Sequence, residues 1–300
     1  MRVFVGGATG YIGSAVARSL RKRGHTVLGS ARNEAAAAKL KAAGAEPVLA
    51  DLADAPSFGR AARSADATIQ VASTSDAHSP EYEPKAAAAI LEAIAGTSRP
   101  FILTSGIWVY GSTGDRPATE ATPVRPIPMV TWRPVVEQAV LRAPGNRGIV
   151  IRPGLVHGRG GGIPAMWVEA AKSQKKVAIP GNGKARWSPV HVDDVGELYA
   201  LALEKATAGG LYNCTSGEVM TLGDIGRTIA RRHGAEYLPW PLEEARKAMG
   251  PFADAIDLDQ VIESPAALAL GWKPTSPTQA VDLATGSYAG GISDGGADCR

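Results

Sequence analysis

Short apolar runs alternate with amphipathic segments along the first half of the chain. The first run, Val3 to Val5, has the length and continuous apolar character of a buried strand. The segment after it repeats apolar residues at helical spacing from Ile12 to Leu20 and ends in the basic pair Arg21 and Lys22. The chain therefore opens with a predicted strand and a predicted helix.

The same alternation continues through the fifth strand. The further predicted strands cover 25–29, 46–51, 67–72 and 100–105, and the further predicted helices cover 33–43, 56–64 and 85–95. Asn33 is placed to cap its helix. Alternating strands and helices predict an α/β fold with a doubly wound parallel sheet. Right-handed crossovers then bring the carboxyl ends of the strands, and any ligand, to one edge.

Three glycines, Gly7, Gly10 and Gly13, join the first strand to the first helix. The first permits a tight turn, the second lets the backbone approach a pyrophosphate, and the third lets the helix pack close to the strand. The helix N-terminus offers N–H groups and a positive dipole end to phosphates. We predict a dinucleotide site here, although the spacing differs from the common Gly-x-Gly-x-x-Gly. Its predicted contacts are Gly7, Thr9, Gly10, Tyr11, Ile12 and Gly13.

The end of the second predicted strand bears on which dinucleotide binds. An NAD site commonly places a carboxylate about 20 residues past the glycines, on a ribose hydroxyl. Arg32 stands there instead, and a guanidinium suits a 2′-phosphate, to which Ser30 adds a hydrogen bond. A plain surface role for Arg32 and a ribose contact by Glu34 stay open. The pattern favours NADP(H).

The ends of the later strands supply the other predicted cofactor contacts. Asp51 follows the third strand, where it meets the adenine edge or serves as a turn or helix-capping residue. The remaining predicted contacts are Leu52, Val71, Ala72, Ser73, Thr104, Arg133 and Pro153.

We expect two domains and a tail. Residues 1–157 form the dinucleotide-binding Rossmann domain, to which a helix at 194–206 and a strand at 211–214 return. Residues 158–190 and 215–284 form a smaller C-terminal substrate domain. From Thr285 the chain is rich in glycine and polar residues, so residues 285–300 are predicted to have no structure of their own.

Composition excludes several classes of protein. The 300 residues are 45% hydrophobic and 20% charged, as in an ordinary globular protein, and the net charge of +3 is too small to indicate nucleic acid as a partner. No apolar run reaches transmembrane length, and we expect no signal peptide. Cys214 and Cys299 have no metal-binding spacing and indicate no disulfide framework. We expect a cytoplasmic protein with a small-molecule substrate and no metal site, and a homodimer stays open.

Four stretches carry a resemblance to a known family. They are Gly7-x-x-Gly10-x-x-Gly13, Thr104-Ser-Gly-Ile-Trp-Val-Tyr-Gly111, Ile151-Arg-Pro-Gly-Leu-Val-His-Gly158 and Val190-His-Val-Asp-Asp-Val195. With Gly210-Leu-Tyr-Asn213 they span most of the chain in the family's order. The chain resembles the short-chain dehydrogenase/reductase superfamily in its extended or atypical, epimerase-like branch. The resemblance implies a pyridine-nucleotide domain and a smaller C-terminal substrate domain.

The catalytic pair of that family is missing. Its enzymes use Tyr-x-x-x-Lys, in which the tyrosine moves a proton and the lysine holds the nicotinamide ribose. This chain contains no Tyr-x-x-x-Lys. In the family a glutamate usually follows the Tyr-x-x-x-Lys on the same helix. If Glu137 is aligned with that glutamate, Met129 falls at the tyrosine position and Arg133 at the lysine position. Arg133 donates the same hydrogen bonds to a ribose, whereas Met129 cannot exchange a proton. The family's serine becomes Gly106, with Ser105 beside it.

Three residues remain as catalytic candidates, namely Ser105, Arg133 and His157. Ser105 ends a central strand, where ligands bind, or has its hydroxyl satisfied by backbone. His157 replaces a tyrosine of the family's Arg-Pro-x-x-Val-Tyr-Gly run. It acts as an acid or base at the mouth of the substrate pocket, or it packs there.

These features predict an NADP(H)-binding oxidoreductase that acts on a small carbonyl or hydroxyl compound. The absence of the tyrosine and lysine favours an alternative, a sensor or regulator that binds the dinucleotide without turnover. A nucleotide-sugar epimerase or dehydratase is a second alternative.

Overall fold

The computed structural model describes residues 1–289. The strands are β1 (Arg2–Gly6), β2 (Thr26–Ala31), β3 (Glu46–Leu49), β4 (Ala67–Gln70), β5 (Pro100–Thr104), β6 (Arg147–Pro153), β7 (Leu155–Gly158), β8 (Gly161–Gly162), β9 (Lys176–Pro180), β10 (Arg186–Trp187), β11 (Pro189–His191), β12 (Gly210–Cys214), β13 (Met220–Thr221) and β14 (Glu236–Trp240). The α-helices are α1 (Tyr11–Lys22), α2 (Glu34–Ala42), α3 (Ala55–Arg63), α4 (Ser79–Ala93), α5 (Arg133–Leu141), α6 (Ile163–Gln174), α7 (Val192–Lys205), α8 (Leu222–His233), α9 (Leu242–Met249), α10 (Phe252–Ile256), α11 (Pro265–Ala269) and α12 (Gln279–Thr285).

A seven-stranded parallel sheet forms the centre of the protein. Its strand order is β12-β6-β5-β4-β1-β2-β3, so the chain winds outward in one direction from β1 and in the other from β4. In register, Val3 lies beside Val27 on β2 and beside Ala67 on β4. The predicted doubly wound parallel sheet is confirmed.

Alternation along the strands builds a core on each face of this sheet. Val3 and Val5 pack with helices α1 and α7. Phe4, between them, points to the opposite face and meets Phe58 of α3 edge-on, with ring centroids 5.5 Å apart. Ile90 of α4 joins the same cluster. The two faces together give the three-layer arrangement that buried parallel strands require.

The N-terminus of α4 lies earlier than the sequence predicts. The helix begins at Ser79 rather than at Lys85, and it contains Pro84. Proline inside a helix removes a backbone hydrogen bond, which is why the sequence pattern predicts a start after it. Because the helix begins before this proline, Glu83 is part of α4.

Residues after β6 build a second, smaller group of elements. They pair as β11-β7-β8, β14-β9 and β10-β13, and their core includes Trp167 and Trp187, whose ring centroids are 5.6 Å apart. Helix α7 packs against α1, and β12 pairs with β6 at the edge of the central sheet.

The end of the described chain is packed against the protein. Tyr288 is 1% exposed, and its hydroxyl accepts from the Gly158 N–H at 2.9 Å and donates to the Gly161 carbonyl at 2.6 Å. The prediction of an unstructured tail from Thr285 is therefore wrong for residues 285–289, because the tyrosine satisfies backbone groups of a glycine-rich turn. Residues 290–300 lie outside the described residues.

Within residues 1–289 no helix combines the length and the apolar character needed to cross a lipid bilayer.

Candidate functional site

The parallel strands bring their carboxyl ends to one edge of the sheet. The chain reverses its winding direction between β1 and β4, which are neighbours. Open α/β sheets bind ligands in the crevice outside such a reversal. The loops after β1, β2, β4 and β5 therefore define the candidate site.

The three glycines of the first loop have different structural roles. Gly7 has φ +84°, and a Cβ there would lie 2.7 Å from the Ala72 nitrogen. A Cβ on Gly13 would lie 2.0 Å from the Gly7 carbonyl oxygen. At Gly10 a Cβ would meet only that same oxygen, at 3.3 Å. The fold thus requires the first and third glycines, whereas Gly10 leaves open space above the loop.

The N-terminus of α1 has no acidic partner of its own. Gly10 is its N-cap and supplies no side-chain hydrogen bond, and the first turn contains no acidic residue. Thr9 and Gly10 are exposed, and Ile12 is partly buried against the core. Tyr11 donates its hydroxyl to the Gly158 carbonyl at 2.7 Å, and burial raises the pKa of Tyr11. The positive end of the helix dipole is available to an anion.

Two polar residues lie at the end of β2. Ser30 accepts a hydrogen bond from the Gly7 N–H at 2.8 Å, so its hydroxyl supports the glycine loop. Arg32 follows the strand directly and is exposed, and its side chain has no hydrogen-bond or ion-pair partner within residues 1–289. Asn33 caps α2 as predicted, since its side chain accepts from the Ala36 N–H at 2.8 Å. An unpaired guanidinium thus lies at the edge of the sheet.

The ends of β3, β4 and β6 hold the other predicted cofactor contacts. Asp51 lies in a turn beyond β3, and its carboxylate accepts from the Ala53 N–H at 3.0 Å. Ser73 donates its hydroxyl to Glu83 at 2.5 Å. Leu52 and Pro153 are buried, and Val71 and Ala72 are half-buried.

Two polar atoms at the end of β5 are buried without a partner. The Ser105 hydroxyl belongs to a residue that is 6% exposed, and no described residue bonds to it. Arg133 Nε is likewise buried and has no hydrogen-bond partner among the described residues. Its Nη1 lies close to Gly106, since a Cβ there would be 3.0 Å away. A buried unsatisfied group costs about 1–3 kcal/mol, which a ligand can offset. Six other side-chain atoms of the described residues are buried without a partner, His157 Nε2 among them, and Ser105 and Arg133 differ from these in lying beside the end of β5.

Local structure explains why the Arg133 side chain reaches β5. Arg133 is the first residue of α5, and its guanidinium lies 5.3 Å from the centre of the Trp132 ring. Thr104, at the end of β5, accepts a hydrogen bond from the Tyr199 hydroxyl at 2.7 Å, so this threonine already has a partner.

Met129 precedes α5 in the 3₁₀ turn Pro128–Val130 and therefore lies outside the helix. It lines a cavity of about 370 Å³. The other lining residues are Ser112, Ile127, Pro128, Leu242, Pro251, Asp254, Asp257, Leu258 and Asp259. This cavity lies next to the turn that leads into Arg133, and its lining includes neither Ser105 nor Arg133.

Tyr110 belongs to a buried structural network. Its hydroxyl donates to Asn213 at 2.8 Å and accepts from Arg152 at 2.7 Å, and burial raises the pKa of Tyr110. Arg152 in turn pairs with Glu137 on α5. Arg152 of the third motif therefore serves the core.

Of the two alternatives left open for His157, the structure favours the packing one over an acid or base at the mouth of the substrate pocket. The side chain is fully buried on β7, with Nδ1 3.4 Å from the Asp282 carboxylate on α12. Its ring meets that of His191 edge-on at 5.3 Å. Helix α12 covers this face of β7, so His157 is a packing residue and is removed from the catalytic candidates.

A larger cavity of about 600 Å³ lies elsewhere, along α1 and α7. Its walls include Arg18, Lys22, Asp193 and Glu197, and none of the predicted site residues. Among residues 1–289 no three His, Cys, Asp or Glu side chains are grouped to hold a metal ion.

Sequence reasoning missed Glu83. The residue precedes Pro84, so the predicted helix began after it, yet the structure buries its side chain at the edge of the sheet. The only available sequence signal was an acidic residue between a hydroxyl-rich loop and an alanine-rich helix.

Comparisons with known proteins agree with the fold. The family model described as the NAD dependent epimerase/dehydratase family matches residues 3–215. The uncharacterized protein C2A9.02 of Schizosaccharomyces pombe is 35% identical, over 96% of this chain and 100% of the relative. A Stigmatella aurantiaca enzyme, 4-hydroxy-2-methyl-3-oxo-4-farnesyl-3,4-dihydroquinoline-1-oxide ketoreductase, is 26% identical, over 83% of this chain and 78% of its own.

A solved structure extends the comparison to the whole fold. The human epimerase family protein SDR39U1 (isoform 2), solved with NADPH, has a TM-score of 0.78 at 22% identity and covers 96% of this chain and 99% of its own. At this identity the likeness concerns the fold. The family match and the 35% identical relative carry the assignment. The chain belongs to the NAD-dependent epimerase/dehydratase family, within the epimerase-like short-chain dehydrogenases/reductases.

Proposed function

We propose that this protein is an NADP(H)-dependent oxidoreductase acting on a small carbonyl or hydroxyl compound. One observation carries the proposal. At the sheet edge that also bears the glycine loop, Ser105 Oγ and Arg133 Nε are buried without partners. A reactive centre of this family needs polar groups of this kind to meet a cofactor and a substrate oxygen.

The residues present fit the dinucleotide. The open space above Gly10 and the N-terminus of α1 suit a pyrophosphate, and the unpaired Arg32 suits a 2′-phosphate. Arg133 would donate to the ribose of the nicotinamide half. When bound, the nicotinamide supplies or accepts a hydride at the substrate carbon.

The chain's own groups then handle the substrate oxygen and its proton. The Ser105 hydroxyl has a free proton to donate, while Met129 has none and His157 is buried elsewhere. Arginine stays protonated, so Arg133 orients and polarises but is a poor proton donor. We therefore assign the donor hydrogen bond to Ser105, with water as the source of the replacement proton.

The relatives support an oxidoreductase but do not select between NAD and NADP(H). The Stigmatella aurantiaca relative is a ketoreductase, and the human structure contains NADPH. Other structures of the same fold contain NAD. The preference for NADP(H) therefore rests on Arg32.

Arg32→Ala tests the cofactor. We expect NADPH binding to weaken by about 1–3 kcal/mol, the scale of a charge-assisted hydrogen bond, while NADH binding barely changes. Titration calorimetry measures both. Arg60→Ala, at an exposed arginine of α3 paired with Asp54, is the control and should change neither. Equal affinity of the parent protein for the two dinucleotides would contradict the assignment.

Turnover tests the reaction. We expect NADPH to be consumed with at least one member of a panel of aldehydes and ketones, and Ser105→Ala to slow that consumption by roughly 10²–10⁴-fold, as for loss of a general acid. Fluorescence of NADPH follows the reaction, and its binding is titrated in parallel. Tight NADPH binding without turnover across the panel would favour the alternative of a sensor that binds the dinucleotide without reaction. Met129, which falls at the family's tyrosine position and cannot exchange a proton, is the reason for testing that alternative.

A further inference from the structure

The turn between β7 and β8, residues 158–162, packs against the first residue of α1. Tyr11 donates its hydroxyl to the Gly158 carbonyl at 2.7 Å, although 147 positions separate the two residues in the chain. A Cβ on Gly161 would lie 2.4 Å from Cε2 of the Tyr11 ring, so a side chain there would clash with the ring. This glycine turn is therefore in direct contact with the residue that follows Gly10 in the predicted phosphate loop.

Two side chains near the end of the described chain bond to the backbone of the glycine turn. The Tyr288 hydroxyl accepts from the Gly158 N–H at 2.9 Å and donates to the Gly161 carbonyl at 2.6 Å. The Ser287 hydroxyl accepts from the Gly160 N–H at 3.0 Å. Tyr288 is 1% exposed, and burial raises the pKa of its hydroxyl, which therefore remains a donor at neutral pH. Three backbone groups of the turn are thus bonded to Ser287 and Tyr288.

The segment that carries these two side chains is itself anchored. Asp282 on α12 accepts from the Ser287 N–H at 2.7 Å and from the Ser287 hydroxyl at 3.1 Å. The same carboxylate lies 3.4 Å from Nδ1 of His157 on β7. Since β7 leads directly into the glycine turn, Tyr288 reaches that turn from a position fixed on the strand before it.

We propose that Tyr288 is a positioning residue of the cofactor site. Its hydroxyl holds the glycine turn against Tyr11, and this contact keeps the N-terminus of α1 where it receives the phosphates of the dinucleotide. Glycine loses more conformational freedom on ordering than any other residue, so a turn that is ordered before the cofactor arrives strengthens binding. The inference rests on the proposed function, because it takes the loop around Gly10 as the phosphate site.

Tyr288→Phe tests this role, because it keeps the ring and removes both hydrogen bonds of the hydroxyl. We expect the Kd of NADPH to rise about tenfold, the scale of the hydrogen bonding that is lost. Tyr110→Phe is the matched control, since Tyr110 is 3% exposed and its hydroxyl likewise donates one hydrogen bond and accepts another, within the structural network of Arg152. In urea both variants should unfold more easily than the parent, but Tyr110→Phe should keep the parent's Kd.

Hydrogen exchange shows where the loss of the hydroxyl acts. Peptides that cover residues 158–162 and 11–14 should exchange faster in Tyr288→Phe than in the parent, whereas peptides from α4 should exchange at the parent rate. A double-mutant cycle then tests the link through Tyr11. Tyr11→Phe should also raise the Kd of NADPH, and the double variant should raise it by less than the product of the two single effects, because both hydroxyls hold the same turn.

Each outcome decides the inference. A folded Tyr288→Phe protein with parent-like NADPH affinity would overturn it and leave the proposed function standing, as would an equal loss of affinity in Tyr110→Phe, unchanged exchange at residues 158–162 or independent effects in the cycle. If Tyr288→Phe does not fold, Ser287→Ala removes the acceptor of the Gly160 N–H and should give the same pattern with a smaller rise in Kd. A parent protein that binds no NADPH would overturn both the inference and the proposed function.

Discussion

Replacing Glu137 by alanine is expected to lower the free energy of unfolding by about 3–5 kcal/mol. Glu137 is 1% exposed and Arg152 3% exposed, and they form a two-pronged pair in which Arg152 Nε lies 2.9 Å from Oε1. A second contact joins Nη2 to Oε2. The alanine variant keeps the guanidinium buried and removes its counter-charge. The uncompensated buried charge is what destabilises the folded protein.

Urea denaturation of the parent and two variants measures this loss. The control is Glu46→Ala, since Glu46 pairs with Arg2 at the surface, where the two side chains are 53% and 51% exposed. An exposed pair contributes less than about 1 kcal/mol, so the control should unfold close to the parent. A loss for Glu137→Ala no larger than that of the control would contradict the prediction.

The predictable part of this fold is the part that local pattern determines. Each of these patterns is contained in a short stretch of sequence: the apolar runs, the helical spacing and the three glycines. The parallel sheet therefore follows from the sequence, as does the expectation that ligands bind at the carboxyl ends of its strands. The turn at Gly7, with φ +84°, and the close packing at Gly13, where a Cβ would lie 2.0 Å from the Gly7 carbonyl oxygen, are local features of the same kind. Asn33 caps its helix for an equally local reason.

Contacts between distant parts of the chain determine what sequence reasoning missed. His157 is removed from the candidate site by Asp282, which is 125 residues away. Tyr288 is held by a hydrogen bond from the Gly158 N–H, 130 residues away. Glu83 was hidden by Pro84, because a proline in a helical pattern normally marks a boundary. No periodicity signals a buried carboxyl that accepts a hydrogen bond from a serine of the preceding loop.

Ser30 shows how a residue can be located correctly and interpreted too narrowly. The sequence places it at the end of β2 as a partner of the 2′-phosphate. In the structure its oxygen accepts from the Gly7 N–H, so its acceptor role serves the glycine loop. The hydroxyl proton remains available to an anion, and loss of Ser30 would disturb the loop as well as any phosphate contact.

Gly10→Val is expected to weaken dinucleotide binding by about a hundredfold or more while the protein remains folded. Gly10 has φ −77° and ψ 175°, an extended conformation that a β-branched residue readily adopts. A Cβ there would meet only the Gly7 carbonyl oxygen at 3.3 Å, a contact that a small shift relieves. The remaining methyl groups would fill the open space that we assign to the pyrophosphate.

The size of the effect follows from the contacts that the side chain would block. Losing two charge-assisted hydrogen bonds to the phosphates costs about 3 kcal/mol or more, which is roughly a hundredfold in Kd. Gly13→Ala gives the opposite result, because its Cβ would lie 2.0 Å from the Gly7 carbonyl oxygen and the backbone must move. We expect that variant to lose roughly 1–3 kcal/mol of stability, as overpacked sites do.

Thermal melting and NADPH titration of the two variants separate the roles. Gly10→Val should melt near the parent temperature and bind NADPH about a hundredfold more weakly or worse, and Gly10→Ala should bind with an intermediate Kd because its side chain is smaller. Gly13→Ala should melt lower. Parent-like NADPH affinity in a folded Gly10→Val protein would show that phosphates do not lie over this loop. The cofactor would then have to enter the sheet edge elsewhere, and the assignment of Arg32 would fail with it.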